Sequence, residues 1–566
     1  MKVKINGQEV VVSPGETILS VAEKNSINIP TLCHHPDLPV GASCRVCVVE
    51  VNGNLVTACS TVVEDEMDII TNSEVAERTR RMNLELLFSQ HQEECHDCVW
   101  NKNCKMLGYA KQYGVEINRF KDRKQKYPIY HFGASLEYDS SKCIDCRNCI
   151  EVCHRQSINY LELQNNKHSV EVFPSNNENI DCIHCGQCIV HCPAGAFEAV
   201  GEFEDVEKPF ANKEKTIIFQ IAPAVRASIG EEFGLAPGTP SLQKLVTALK
   251  QIGADYVFDV SSGADITTIE ESQEFIEKVK TGQLPLLTSC CPSWVRFVEF
   301  YYPEFIPHLS SSRSPHITLG GVIKKHLEKE GVANPDNAYV VSVMPCVSKK
   351  HEAQREQNRV DNFMPVDYVM TVREVGRLLK NHDINLATLE ETPPDNPFGS
   401  PSGSAESYGV SGGVMQSAYH NITGEEVSFC NQEEGIKTAT VNAFGKDLKL
   451  AVVHGLGNAR KILEELKEDK NRYDFVEVMA CPRGCVGGGG QPVPVNEKIR
   501  KERRDGLCSV SKKREIKRAD ENPETKSIYA KILTDHETVK KICHTTYKEE
   551  KKQEIKTSKQ PCDNEN

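Results

Sequence analysis

Cys143, Cys146, Cys149 and Cys153 follow one another as C-x2-C-x2-C-x3-C, and Cys182, Cys185, Cys188 and Cys192 repeat the pattern with every position displaced by the same 39 residues. Thiolate is the soft ligand that iron–sulfur clusters and zinc prefer. Consecutive two-residue gaps suit cubane clusters, with the fourth cysteine of each run serving the other cluster, whereas zinc favours paired C-x2-C knuckles. The spacing therefore assigns Cys143, Cys146, Cys149 and Cys192 to one [4Fe–4S] cluster. Cys182, Cys185, Cys188 and Cys153 go to a second.

Two more groups precede this pair. Cys33, Cys44, Cys47 and Cys59 are spaced C-x10-C-x2-C-x11-C. They follow a VKINGQEVVV hairpin, with its turn at Asn6-Gly7, and a helical run near Glu16 to Lys24. Hairpin, helix and cysteine loop resemble a plant-type [2Fe–2S] ferredoxin, with a longer first gap than the plant spacing. That departure is similar to the N-terminal domain shared by hydrogenases and the large electron-input subunit of respiratory complex I, with zinc as the alternative. His91, Cys95, Cys98 and Cys104 form H-x3-C-x2-C-x5-C, which by itself suits a Cys3His zinc site as well as a cluster. Its position between two iron–sulfur modules, and its resemblance to the histidine-ligated [4Fe–4S] domain of the same family, select a cluster. An imidazole in place of a thiolate removes negative charge and raises the potential. Four clusters in series make a wire.

The elements that must position this chemistry fall into two halves. Of 24 cysteines, 15 lie between Cys33 and Cys192, and none recurs until Cys290. Thiols in this number suit a reducing compartment only if they bind metal or do chemistry. The net charge of −13 argues against a nucleic-acid partner. No apolar run reaches membrane-spanning length and the N-terminus has no apolar signal core, so a soluble cytoplasmic protein is expected. The rear alternates apolar runs (TIIFQIAP, YVFDV, LPLLTS, AYVVSVMP, LKLAVVHG, FVEVMAC) with helical patterns such as SLQKLVTALKQIG. This pattern predicts largely parallel sheets covered by helices. Three of those runs end at or just before a cysteine, which points to one pocket at the carboxyl ends of strands.

Those cysteines sit in three segments, LTSCCPSW from Leu287, MPCVSKKHE from Met344 and EVMACPRGCVGGGGQP from Glu477. They resemble the three signature segments of [FeFe]-hydrogenases, and the resemblance extends over essentially the whole chain up to the tail. It implies a [4Fe–4S] cubane on Cys291, Cys346, Cys481 and Cys485, with Cys485 also bridging to a diiron unit that carries CO, cyanide and azadithiolate ligands (the H-cluster). It further implies cofactor contacts from Lys349 and Ser348, pocket-lining thioethers from Met344 and Met479, and backbone facing the diiron unit at Ala222, Pro223 and Ala224. Ala224 lacks the hydroxyl some relatives carry. The glycines Gly487 to Gly490 are expected to let backbone approach the cofactor. Cys290, Glu271, Ser310 and Glu274 align with a proton relay that ends near Lys278, where relatives have arginine. A solvated helix face is the alternative for the two glutamates. Gln416 stands where a glutamate is usual, and His316 where glutamine is common.

The expected fold is multidomain α+β and α/β. A β-grasp [2Fe–2S] domain spans 1–78, a small His/Cys3 cluster domain 79–126, a bacterial 2[4Fe–4S] ferredoxin-like domain 127–209 and a large α/β active-site domain 210–546. A polar tail over 547–566 is expected to be disordered, with Cys562 incidental. The basic run from Arg119 to Lys126 reads as a solvated linker, and Cys430, Cys508 and Cys543 as buried structural thiols. The resemblance implies a monomeric enzyme that reversibly converts protons and reduced ferredoxin (or flavodoxin) into H2, and that depends on maturation enzymes. The rivals are the catalytic subunit of an electron-bifurcating complex, a hydrogen sensor or cluster-assembly relative, and an electron-transfer subunit like that of complex I, which leaves the rear half unexplained.

Overall fold

The computed structural model describes residues 1–91, 95, 98–100, 103–120, 128–166, 169–201, 204–212 and 214–558. The basic run beyond Phe120 and Cys562 lie outside them.

The N-terminal strands β1 (Lys2–Ile5) and β2 (Gln8–Val11) pair antiparallel through Asn6 (φ 50°) and Gly7 (φ 82°), the left-handed pair that a two-residue hairpin turn requires. With β3 (Val48–Val51), β4 (Asn54–Thr57) and β5 (Asp68–Ile70) they form a sheet in the order β2-β1-β5-β3-β4. The helix Ile18–Lys24 is capped by the Thr17 hydroxyl and buries Ile18, Leu19, Val21 and Ala22 in that domain's core. Next come the helices Glu74–Phe88 and Lys105–Tyr113. Buried Arg80, on the first of them, donates to the carbonyls of Val48 and Thr71 and so ties it to the sheet.

In the next module the sequence repeat becomes a conformational repeat. Asp145 (φ 54°) and Arg147 (φ 66°) open the helix Asn148–Arg155, just as His184 (φ 58°) and Gly186 (φ 67°) open the helix Gln187–His191. Each left-handed kink turns the run of thiols back on itself. Around the two helices lie β6 (Ile129–Phe132), β7 (Leu136–Asp139), the β8–β9 hairpin (Leu161–Asn166, Ser169–Pro174) and β10 (Phe197–Ala199).

The rear half has two sheets. One, ordered β12-β11-β14-β15, is wholly parallel: β11 (Thr216–Ile221), β12 (Tyr256–Asp259), β14 (Ala338–Met344) and β15 (Tyr368–Thr371). The other runs β13-β19-β18-β17-β16, built from β13 (Leu286–Leu287), β16 (Cys430–Glu433), β17 (Ile436–Ala443), β18 (Lys446–His454) and β19 (Phe475–Met479). Its β13, β19 and β18 are parallel, and an antiparallel edge follows. The long helix Val260–Thr281, capped by Asp259 at its start and by Gly282 (φ 71°) at its end, packs on the helix Pro315–Lys329. No helix among the described residues is long and apolar enough to cross a membrane.

Two expectations are corrected. Residues 547–558 are ordered: Lys548 and Glu550 amides bond Glu299, Lys552 donates to the carbonyls of Ser175 and Asn177, and β20 (Lys556–Ser558) pairs antiparallel with β6. A polar composition concealed this because the segment is held by its backbone and its lysine heads. Cys430 is exposed, since it lies on the edge strand β16; Cys508 is half-buried and Cys543 buried.

Candidate active site and electron-transfer centres

β11 and β14 of one sheet, and β13 and β19 of the other, direct their carboxyl ends at a common space. Ala222–Ala224 follow β11, Cys290 and Cys291 follow β13, Cys346 follows β14, and Cys481 and Cys485 follow β19. All of these residues line one almost wholly apolar cavity of about 90 Å³, together with Met344, Met479 and Lys349. That is room for several waters, closed instead by aliphatic side chains and thioethers.

The donor set fits a metal cluster with an attached group. Burial pushes the Cys291 and Cys481 thiols up, and takes Cys346 and Cys485 up to about 12. Four thiols crowded in mutual electrostatic contact at an apolar cavity become thiolates only against a strong local positive charge. Lys349 supplies one permanent cation at the rim. Burial opposes its charge, but the carboxylate of Glu352, 2.7 Å away, holds its ammonium raised. The same ammonium donates to the Cys290 carbonyl at 3.0 Å. Glu352 also accepts from His316 Nε2 at 2.7 Å, and Lys349 and His316 overcome its desolvation to hold it down to about 2. Burial and the Lys349 charge bring His316 down to about 4, so the ring is neutral, donates from Nε2 and receives the Ser342 hydroxyl at Nδ1.

From Cys290 a line of polar groups leaves the cavity. Glu271, on the helix Val260–Thr281, is 1% exposed, so its alternative as a solvated face does not hold. Desolvation and the Glu274 carboxylate raise it to about 8, opposed by the Ser310 hydroxyl. Its field also bears on the Cys290 thiol, itself raised by burial. Ser310 donates to Glu274 at 3.0 Å, and Glu274 lies 3.9 Å from Lys278 at the periphery.

Two expected contacts differ. Ser348 does not line the cavity; it is buried beside it, with its backbone amide toward Cys346 and its hydroxyl without a partner among the described residues. Of the glycine run only Gly488 lines the cavity. The close approach it permits is to other backbone: a Cβ on Gly488 would stand 2.2 Å from the Pro345 oxygen, and one on Gly490 2.8 Å from the Cys346 nitrogen. Gln416 is remote from the cavity wall, accepting from the Val427 amide. Sequence reasoning missed the role of Glu352, three residues beyond Lys349, though an i,i+3 opposite charge was the available signal.

The accessory thiols lie in neighbouring groups. Cys153 shares a small cavity with Cys182, Cys185 and Cys188, drawn from the opposite run, and with Cys149. Cys149 feels the charges of Cys146, Cys143 and Cys192, and of Cys188. Near the N-terminus, the Cys33 amide lies 3.5 Å from the Cys44 sulfur, and the sulfurs of Cys47 and Cys59 are 3.3 Å apart. His91 Nδ1 is 2.8 Å from the Lys142 carbonyl, which in a neutral ring puts the hydrogen on Nδ1 and the lone pair on Nε2. Cys98 and Cys104 are in electrostatic contact, and the Trp100 indole donates to the Cys192 carbonyl, joining this group to the next module.

Comparison with known proteins finds matches to successive parts of the chain. Residues 1–74 match a 2Fe-2S iron-sulfur cluster binding domain, 80–119 the NADH-ubiquinone oxidoreductase-G iron-sulfur binding region, and 142–196 a 4Fe-4S dicluster domain. Residues 215–489 match the iron only hydrogenase large subunit, C-terminal domain, and 497–550 the iron hydrogenase small subunit. The NADP-reducing hydrogenase subunit HndD of Solidesulfovibrio fructosivorans is 36% identical over 97% of this chain and 98% of its own length. Iron hydrogenase 1 of Clostridium pasteurianum is 34% identical over 86% and 88%. The structure of apo [FeFe]-hydrogenase HydA1 from Chlamydomonas reinhardtii superposes with a TM-score of 0.55 at 33% identity, covering 61% of this chain and 99% of that one. With strand-end thiols converging on one cavity and relatives alike along nearly its full length, the chain belongs to the [FeFe]-hydrogenase, or iron-only hydrogenase, family.

Proposed function

We propose that this chain interconverts H2 with protons and electrons in the cavity between the two rear sheets, exchanging its electrons with ferredoxin. The observation that carries the reading is the convergence of Cys291, Cys346, Cys481 and Cys485 on one apolar cavity beside Cys290. These four would hold a cubane, with Cys485 shared with a diiron unit. When bound, that group supplies an open iron position for H2 and an amine base. The chain's own residues do the rest. Met344, Met479 and the Ala222–Ala224 backbone exclude water, and Lys349 offers a charge-assisted hydrogen bond at the rim. Cys290, Glu271, Ser310 and Glu274 carry the proton outward past Lys278.

The accessory groups, read as one [2Fe–2S] and three [4Fe–4S] clusters, carry electrons. The set Cys33, Cys44, Cys47 and Cys59 and the set His91, Cys95, Cys98 and Cys104 are alternative points of entry to the paired cubanes. Cys185 is in electrostatic contact with both Cys346 and Cys291, which supports reading its cubane as the one nearest the active site. The test is infrared spectroscopy of the matured chain. Bands in the CO and cyanide stretching region are expected, and their absence from a fully matured sample refutes the reading.

The near full-length match to an NADP-reducing hydrogenase subunit favours a second reading, in which the chain is the catalytic subunit of a nucleotide-linked complex. Purification under native conditions separates the two. A lone chain that evolves H2 from reduced ferredoxin supports the first, and co-purifying flavin-containing subunits with NADPH-dependent turnover support the second.

A further inference from the structure

The helix Val260–Thr281 carries a second buried carboxylate next to Glu271 that the path above does not use. Glu270 is 5% exposed and is held by two groups from the C-terminal region. The Tyr529 hydroxyl donates to Glu270 Oε1, and His544 Nε2 lies 3.1 Å from Oε2. The other ring nitrogen, His544 Nδ1, is 2.9 Å from the Ser311 hydroxyl, which is itself 3.1 Å from Glu274 Oε2. Glu274 is thus joined to His544 through one hydroxyl. The His544 side chain keeps 23% of its surface exposed, so the line ends in solvent.

The ring is placed by backbone as well. Ser312 and His544 form an antiparallel bridge, the Arg313 amide donates to the Cys543 carbonyl, and the Arg313 guanidinium donates to the His544 carbonyl. The groups facing the imidazole are Glu270 and, across Ser311, Glu274 from the long helix; Tyr529 behind Glu270; Arg313 from the adjoining segment; and Cys543 beside it in the chain.

We propose that Glu274, Ser311 and His544 form a second proton exit, branching at Glu274 from the route past Lys278, with Glu270 and Tyr529 as positioning residues. The inference rests on the proton path proposed above. A proton arriving on Glu274 passes to Ser311 Oγ while the Ser311 proton moves to His544 Nδ1. This leaves a Glu274 carboxylate and an imidazolium whose Nε2–H is bonded to Glu270. The imidazolium then releases its Nε2 proton to water as the bond to Glu270 opens, the ring being 23% exposed, and no electron moves. Both hops between side chains are within the reach that proton transfer needs. During H2 evolution the same steps run inward.

The test uses the matured full chain. In H544Q, dye-linked H2 oxidation is expected to fall about two- to fivefold, because one of two parallel branches remains, and added imidazole is expected to restore it. The solvent deuterium isotope effect should rise. Independently of turnover, 15N-histidine NMR is expected to show the His544 tautomer balance moving away from Nε2–H in Glu270→Leu, since the acceptor that fixes that proton is gone. If H544Q does not mature, as judged by iron content, Ser311→Ala decides in its place. Wild-type rate and isotope effect in the deciding variant, or an unmoved tautomer balance in Glu270→Leu, would overturn the branch. Failure of the underlying path is read separately: a fully active Cys290→Ala removes the whole route, whereas an inactive Cys290→Ala with an unaffected H544Q removes only this exit.

Discussion

Gly186 and Gly489 meet backbone to backbone: a Cβ on Gly489 would stand 2.6 Å from the Gly186 Cα, and one on Gly186 2.6 Å from Val347 Cγ2. Gly186 follows Cys185, Val347 follows Cys346, and Gly489 closes the loop that carries Cys485. The ferredoxin-like module thus touches the two loops that carry Cys346 and Cys485, where the proposed electron route would cross. Gly489→Ala is expected to pry the two apart at a cost of about 1–3 kcal/mol, as overpacking does. Dye-linked turnover should fall more than H2/D2O exchange, which needs no electron from the accessory clusters; equal losses would assign the contact to stability alone.

Cys290 is adjacent to a thiol of the cubane set but lies outside that set. Cys290→Ala is expected to keep iron content and infrared bands while losing about 100-fold or more in turnover. Unchanged activity would exclude it from the proton path.

The ligand assignment predicts about 20 irons per matured chain, from one [2Fe–2S], four [4Fe–4S] and one diiron unit. Replacing Cys485 by alanine should leave about 14 if the whole active-site group is lost. Colorimetric iron analysis against protein concentration checks both figures.

Glu271 has a folded pKa of about 8, raised by burial and by Glu274. The unfolded carboxyl ionises near 4.3. Between those values the native state holds a proton that the unfolded chain has released, so this group makes stability fall as pH rises through that window. Glu271→Gln should therefore remove that part of the pH slope and unfold no more readily at pH 7 to 8, while turnover collapses. Urea titrations of the matured protein across that window decide it.

Arg226 is fully buried, with Asp259 Oδ1 at 2.8 Å and the Glu406 carboxylate at 2.6 Å. It fixes the turn after Ala224 to the helix Gly403–Glu406. Arg226→Ala leaves two carboxylates in the interior with the half-exposed Arg514 as their remaining ion-pair partner among the described residues, and should cost about 3–5 kcal/mol. Denaturant unfolding of the catalytic module measures the loss.

Sequence alone determined what depends on local spacing. The cubane runs, the Asn6-Gly7 hairpin and the cysteines at the ends of β13, β14 and β19 were legible because a thiolate run, a two-residue turn and a strand period are each set within a few residues. Tertiary structure decided what depends on distant partners. Glu270 and His544 are 274 positions apart and carry no shared periodicity. The order in residues 547–558 comes from Glu299, Ser175 and β6, none of which is near in sequence. Likewise the glycine run was legible as a close approach, but only packing could show that its neighbours are Pro345 and Gly186, because a missing Cβ records that space is needed and not what fills it.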